Sequence, residues 1–115
     1  MLKFNKIEEA IKAVRAGRMI VIVDDEDREN EGDLMMAAEM VTPENVNFMA
    51  KEGRGLICVP VNVEIADRLG FDPMVRTNKE SNKCSFTVSV DLKNGVTTGI
   101  SVSDRSKTIR AIASL

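Results

Sequence analysis

Between Asp24 and Asp33 the chain reads Asp-Asp-Glu-Asp-Arg-Glu-Asn-Glu-Gly-Asp, and seven of these ten residues are carboxylates set against one base. Packed close, such side chains repel one another, and their carboxyl pKa values rise unless cations intervene. Directly before them lies Met19 to Val23, apolar and β-branched, short enough for a buried strand. Gly32 permits a sharp backbone turn inside the stretch. Two readings are open. A solvated acidic loop is the plainer one, because runs of charge are usually solvated. A loop that seats a hard divalent cation explains more. Mg²⁺ prefers oxygen ligands and commonly takes one or two carboxylates with water and substrate oxygens. Sites of that kind often follow the strands of α/β sheets, and Arg28 among the acids could meet a phosphate or hydroxyl.

The rest of the chain alternates short helices and strands. Ile7, Ala10, Ile11 and Val14 recur at helical spacing, with Asn5 as cap, Glu8 three residues on and Gly17 as stop. Leu34 to Ala38 reads as a return strand. Thr42 caps a second helix, with Pro43 at its first position, Val46, Met49 and Ala50 on its apolar side and Gly53 beyond its end. Leu56 to Val61 reads as a strand, and Asn62 caps a short helix that carries Ile65, Ala66 and Leu69 into Gly70. Phe71 to Lys83 reads as a mobile polar loop. Ser85 to Asp91 alternates as a strand, with Phe86, Val88 and Val90 facing one way, and Asn94-Gly95 signals a turn. Ser103 caps a last helix with Ile109, Ile112 and Ala113 inward. Its apolar pattern runs to Leu115 with no stop residue, so further sequence is expected beyond it. The expected fold class is α+β (mixed α/β): a mixed, partly antiparallel sheet with packed helices, in a single domain over 1–115.

Composition excludes several classes of function. A net charge of −2 draws the molecule neither to nucleic acid nor to an anionic membrane, and with no Trp or Tyr and four Phe there is little to stack bases on. No run approaches the length of apolar sequence that a membrane span needs, and the N-terminus has no apolar core of a secretory signal. Cys58 and Cys84 fit a reducing cytoplasm better than a disulfide scaffold. The chain has no histidine, so imidazole cannot serve here as a metal ligand or as an acid–base group.

The string DDEDRENEGD after MIVIV resembles the signature of the 3,4-dihydroxy-2-butanone 4-phosphate synthases. So do AIKAVRAGRMIVIVDD, AAEMVTPENVNFMAKEGRGLICVPV and FTVSVDLKNGVTTGISVSDRSKTIRA, so that the likeness covers nearly the whole chain. The resemblance implies a Mg²⁺- or Mn²⁺-dependent lyase of riboflavin biosynthesis that converts D-ribulose 5-phosphate to formate and 3,4-dihydroxy-2-butanone 4-phosphate, acting as a cytoplasmic homodimer. It makes Glu29 the metal ligand, and Glu29, Glu31 and Asp33 the catalytic carboxylates, with Glu31 positioning water or a second ion. Arg28 and Asp33 would contact the sugar phosphate, Cys58 would lie at the edge of the substrate pocket, and Thr98 would bond substrate hydroxyls. The plainer readings of the last two are a small buried side chain and a strand-friendly turn residue. Cys84 reads as structural, Asp104 as a helix-start carboxylate, and the Met residues as core.

The resemblance also implies that the family's second half, with its histidine ligand, its phosphate-binding arginine and threonine and a proton-transferring glutamate, lies outside this sequence. The chain alone is then expected to bind metal weakly, to turn over slowly and to expose surface. The alternative is a non-catalytic remnant of the same fold that binds a sugar phosphate or nucleotide.

Overall fold

The computed structural model of the chain describes residues 3–115. Helix α1 (Ile7–Arg15) ends as its sequence predicts. Gly17 adopts φ 73°, and the Gly17 and Arg18 amides donate to the Val14 and Ala13 carbonyls at 2.9 and 3.0 Å. These bonds satisfy carbonyls that the last turn leaves open. The start differs from expectation. Lys6 occupies the cap position, and Glu9, not Glu8, accepts from the Lys6 amide at 3.1 Å. Asn5 only braces that carboxylate, at 3.2 Å.

Strands β1 (Ile20–Val23) and β2 (Gly32–Met35) form an antiparallel hairpin, with Ile20 opposite Met35, Val21 opposite Leu34, Ile22 opposite Asp33 and Val23 opposite Gly32. Gly32 and Asp33 therefore belong to the ladder and not to the turn, and the return strand begins earlier and ends earlier than Leu34 to Ala38. Ala38–Met40 is a 3₁₀ turn instead. β1 is not buried: Val21 is 65% exposed. This hairpin is the sheet of the described residues.

Helix α2 (Pro43–Phe48) starts on a reciprocal cap, in which Asn45 N–H donates to Thr42 Oγ1 and the Thr42 amide donates to the Asn45 side chain. The helix widens into a π turn, Met49–Gly53, and the left-handed stop is Arg54 (φ 59°) in place of Gly53. Asn62 accepts from the Ile65 amide at 2.9 Å and opens α3 (Val63–Leu69), which Gly70 closes at φ 67° as expected. Helix α4 (Val102–Ala113) is capped by Ser101 and not by Ser103, through the Asp104 amide at 3.0 Å. The early start places Asp104 in the first turn, where its carboxylate is used by the preceding loop. Ile109 and Ile112 are half-buried, whereas Ala113 is exposed.

Two expected strands lack a ladder. Residues 56–61 pair with nothing among the described residues. The 85–91 segment is held by a single bridge, Thr87 opposite Pro73. Phe86, Val88 and Val90 share exposure and not a core.

The core sits where α2, α4 and the Ala38–Val41 turn meet. Val46 and Val41 are buried there, beside Ser106. The chain exposes 9470 Å², about half as much again as the roughly 6,200 Å² of a compact monomer of this mass. Most apolar side chains therefore contribute little to stability, and the few buried ones contribute most. Val46→Ala is expected to lower the unfolding free energy by about 2 kcal/mol in a urea titration. Val21→Ala should stay within about 0.5 kcal/mol of the parent.

Candidate active site

The hairpin brings Asp24 and Glu31 face to face, and the Asp24 amide donates to the Glu31 carbonyl at 3.3 Å. The six residues between them are gathered by one carboxylate. Asp24 Oδ1 accepts from the Glu31 amide at 2.8 Å, and Oδ2 accepts from the Glu29 amide at 3.0 Å and from Arg28 Nη1 at 2.6 Å. The Glu31 amide, more than any other group, holds the Asp24 carboxyl below its ordinary range; the Glu29 amide and Arg28 add to this, and desolvation opposes them. Asn30 turns the chain with φ 52°, a region that Asn tolerates better than most residues.

Glu29 stands half-buried within this frame. One carboxylate oxygen accepts from Arg28 Nη1 at 3.3 Å. The other accepts from Asn82 Nδ2 at 3.0 Å, across 53 residues of chain. That second bond joins the acidic loop to the polar loop 71–83. The polar loop is folded around Glu80, whose carboxylate accepts from the Asn82 and Cys84 amides, both at 2.9 Å. Burial first, and then the Glu80 carboxylate, push the Cys84 thiol up, so it stays protonated and is a poor nucleophile at neutral pH.

Repulsion within the acidic segment is relieved by solvent and by one base. Asp25, Glu26 and Asp27 are exposed to water, and Asp24 and Glu29 share Arg28. Among the described residues no three acidic or cysteine side chains are grouped as a metal cage. A divalent ion bound in this loop would need oxygens from outside it. That matches the habit of Mg²⁺, which often takes one carboxylate from the protein and the remainder from substrate and water.

The residues picked out by sequence are brought together in part. Arg28 and Glu29 are in contact. Glu31 joins them through its amide. Asp33 lies on β2, on the face opposite Leu34, and is exposed. Cys58 is a free, exposed thiol and Cys84 is also free. Thr98 is exposed. Neither Cys58 nor Thr98 is hydrogen-bonded to the acidic loop.

A family model described as 3,4-dihydroxy-2-butanone 4-phosphate synthase matches residues 8–115. The chain belongs to that family. Its 3,4-dihydroxy-2-butanone 4-phosphate synthase relative in Agrobacterium fabrum is 52% identical over 109 residues, 95% of this chain and 51% of that protein. The riboflavin biosynthesis protein RibBA of Cytophaga hutchinsonii is 59% identical over 112 residues, 96% of this chain and 28% of that protein. A solved 3,4-dihydroxy-2-butanone 4-phosphate synthase in complex with two magnesium ions superposes with a TM-score of 0.90 at 41% identity, covering 95% of this chain and 51% of that one. The chain thus spans about half, or less, of the length of the relatives it matches.

Within this synthase-family chain the buried carboxylate is Asp104, which the sequence suggested only as a helix-start charge. Its Oδ2 accepts from the Thr97 hydroxyl at 2.8 Å, the Thr97 amide at 2.9 Å and the Gly99 amide at 3.1 Å. Thr98 lies between these anchors. Gly99 (φ 81°) completes the turn, and any Cβ there would collide with the Asp91 carboxylate. The Thr97 hydroxyl and then its amide, with the Gly99 amide after them, hold the Asp104 carboxyl below its ordinary range against the effect of burial.

Because the folded pKa values of Asp24 and Asp104 lie low, both groups stabilise the fold fully above an aspartate's ordinary value of about 3.9, and that contribution is lost as pH falls through the folded values. Urea midpoints recorded from about pH 6 down to about pH 2 should fall steeply below about pH 4. In Asp104→Asn the midpoint should be lower at neutral pH and the acid decline shallower. An unchanged acid slope would show that Asp104 titrates alike in both states.

Proposed function

We propose that the chain is the front portion of a 3,4-dihydroxy-2-butanone 4-phosphate synthase, a lyase that takes D-ribulose 5-phosphate to 3,4-dihydroxy-2-butanone 4-phosphate and formate in riboflavin biosynthesis. The observation that carries it is the half-buried Glu29 carboxylate, fixed by Arg28 and Asn82 at the head of a preorganised acidic loop, in a chain of this family.

The reaction needs a proton removed beside a carbonyl, a rearranged carbon skeleton and one carbon released as formate. Bound Mg²⁺, with Mn²⁺ as its substitute, would polarise the carbonyl and hydroxyl oxygens of the substrate. Glu29 would hold that ion. Arg28, already paired with two carboxylates, has a planar guanidinium suited to turn toward the sugar phosphate. Asp33 would orient hydroxyls and help to move protons, and Glu31 would position water or a second ion. Cys58 would border the pocket, and Thr98, on its braced turn, would bond substrate hydroxyls. The loop 71–83, tied to Glu29 through Asn82, would exclude water. The rest of the family fold would supply the remaining ligands, and the active form would be a cytoplasmic homodimer. No helix of the described residues is long and apolar enough to cross a membrane.

A second reading is a non-catalytic sugar-phosphate- or nucleotide-binding remnant of the fold, since no three-ligand metal cage is found among the described residues. Formate release from D-ribulose 5-phosphate with Mg²⁺ separates the two. The chain alone should give at most a trace, and addition of the family's other half should restore turnover. Glu29→Gln in the restored enzyme should cost about 10²–10³ in rate. A restored rate and Mg²⁺ dependence untouched by that substitution would remove Glu29 from the site. No restoration, with retained binding of ribulose 5-phosphate, would favour the remnant.

A further inference from the structure

Glu29 is held from two sides, and the two are unequal. Arg28 Nη1 lies 3.3 Å from one carboxylate oxygen, beyond the usual length of an N–H···O bond, and the same nitrogen is 2.6 Å from Asp24. Arg28 therefore belongs chiefly to Asp24. The other Glu29 oxygen accepts from the Asn82 side-chain amide at 3.0 Å. The firmer hold on Glu29 comes from Asn82, a neutral residue on a different loop.

Asn82 stands on a turn that is bonded to itself. The Glu80 carboxylate accepts from the Asn82 and Cys84 amides, both at 2.9 Å, and the Glu80 carbonyl accepts from the Lys83 amide at 3.2 Å. Asn78 closes the base of the turn. Its side-chain amide donates to the Cys84 carbonyl at 2.8 Å, and its carbonyl accepts from Lys83 Nζ at 2.8 Å. Lys83 takes φ 55° within this turn. The Cys84 amide, and after it the Asn82 amide, hold the Glu80 carboxyl below its ordinary range, so the turn is closed by an ionised acceptor at neutral pH. A side chain on so braced a backbone gives up little further freedom when it bonds Glu29. Among the described residues, the Asn82 bond to Glu29 is the hydrogen bond that carries segment 78–84 to another part of the chain.

We propose that Asn82 is a positioning residue for the Glu29 carboxylate, fixing it in the orientation that receives a divalent ion. The inference rests on the reading of Glu29 as that ion's ligand. A carboxylate has about four lone-pair sites on its two oxygens, so the Asn82 bond leaves room for an ion on the same group. Carboxylates that bind metals are themselves held by such bonds, and loss of the holding partner costs about 10–100-fold in metal affinity. Asn82 carries no charge, so its replacement changes the orientation of Glu29 and not the net field that attracts a cation.

The test is a titration of the ¹⁵N-labelled chain with Mg²⁺ alone, followed at the amides of 28–31. Asn82 is exposed, so Asn82→Ala should leave the urea midpoint of the chain unchanged while raising the Mg²⁺ midpoint about tenfold or more. Asn82→Gln keeps an amide donor and should recover part of that loss. Ser81→Ala, on the same turn and bonded to Glu80, should titrate like the parent. If Glu29→Gln abolishes the parent's response but Asn82→Ala leaves the midpoint unchanged or lowers it, Glu29 stays as ligand and the role of Asn82 is overturned. A parent response that is absent, or that survives Glu29→Gln, would remove the ion from Glu29 and the inference with it.

Discussion

The Asp24 carboxylate is the interaction on which the candidate site rests. A turn crowded with negative charge has no reason to close unless something neutralises or bonds the acids from inside. Asp24 does this by accepting two loop amides and one guanidinium. Charge-assisted bonds of this kind are short and directional. Their effect is to leave Asp25, Glu26 and Asp27 in water while turning Glu29 inward. Asn82 then meets Glu29, and the polar loop 71–83 is fastened to the acidic one. The loop's geometry is set by bonds within the chain, and a group held in this way can act electrostatically with little reorganisation.

Away from that loop the molecule is open. One small cluster around Val41 and Val46 joins α2 to α4, and a second centre of order is polar: Asp104 braces the Thr97–Gly99 turn from inside the first turn of α4. The second lies at a helix end, where a carboxylate and backbone amides do work that hydrophobic burial does elsewhere. Extended apolar segments with unpaired edges complete the picture. Local bonding holds the site residues in place, and the surfaces of long-range packing remain uncovered.

What the sequence made legible follows this division. Gly17, Thr42, Asn62 and Gly70 act where they were expected to, because caps and left-handed stops depend on a few neighbouring residues. The α+β class and the hairpin turning at the acidic stretch were legible for the same reason. The strand 85–91 was read from its alternation, and 56–61 was read as a strand without one, although burial does alternate along 56–61. A ladder, however, needs a partner that no local pattern supplies. β1 looked buried because its residues are apolar, yet Val21, Ile22 and Val23 are exposed. The shift of the α4 cap from Ser103 to Ser101 had a signal, since Ser101 stands three residues before an acid. Arg28 and Glu29 were legible from their motif. Asn82 was not, because its bond to Glu29 spans 53 residues and an irregular loop.

We propose that Asp24 folds the acidic loop so that Glu29, and not the more numerous exposed acids, would receive a divalent ion. Nuclear magnetic resonance of the ¹⁵N-labelled chain with Mn²⁺ as a paramagnetic probe tests it most directly. Broadening should appear first and together at the amides of 28–31 and 82–84, and should spread to the exposed acids when Asp24 is replaced by Asn. Broadening centred on Asp25–Asp27 or on Glu8 and Glu9, alike in the parent and in Asp24→Asn, would contradict it.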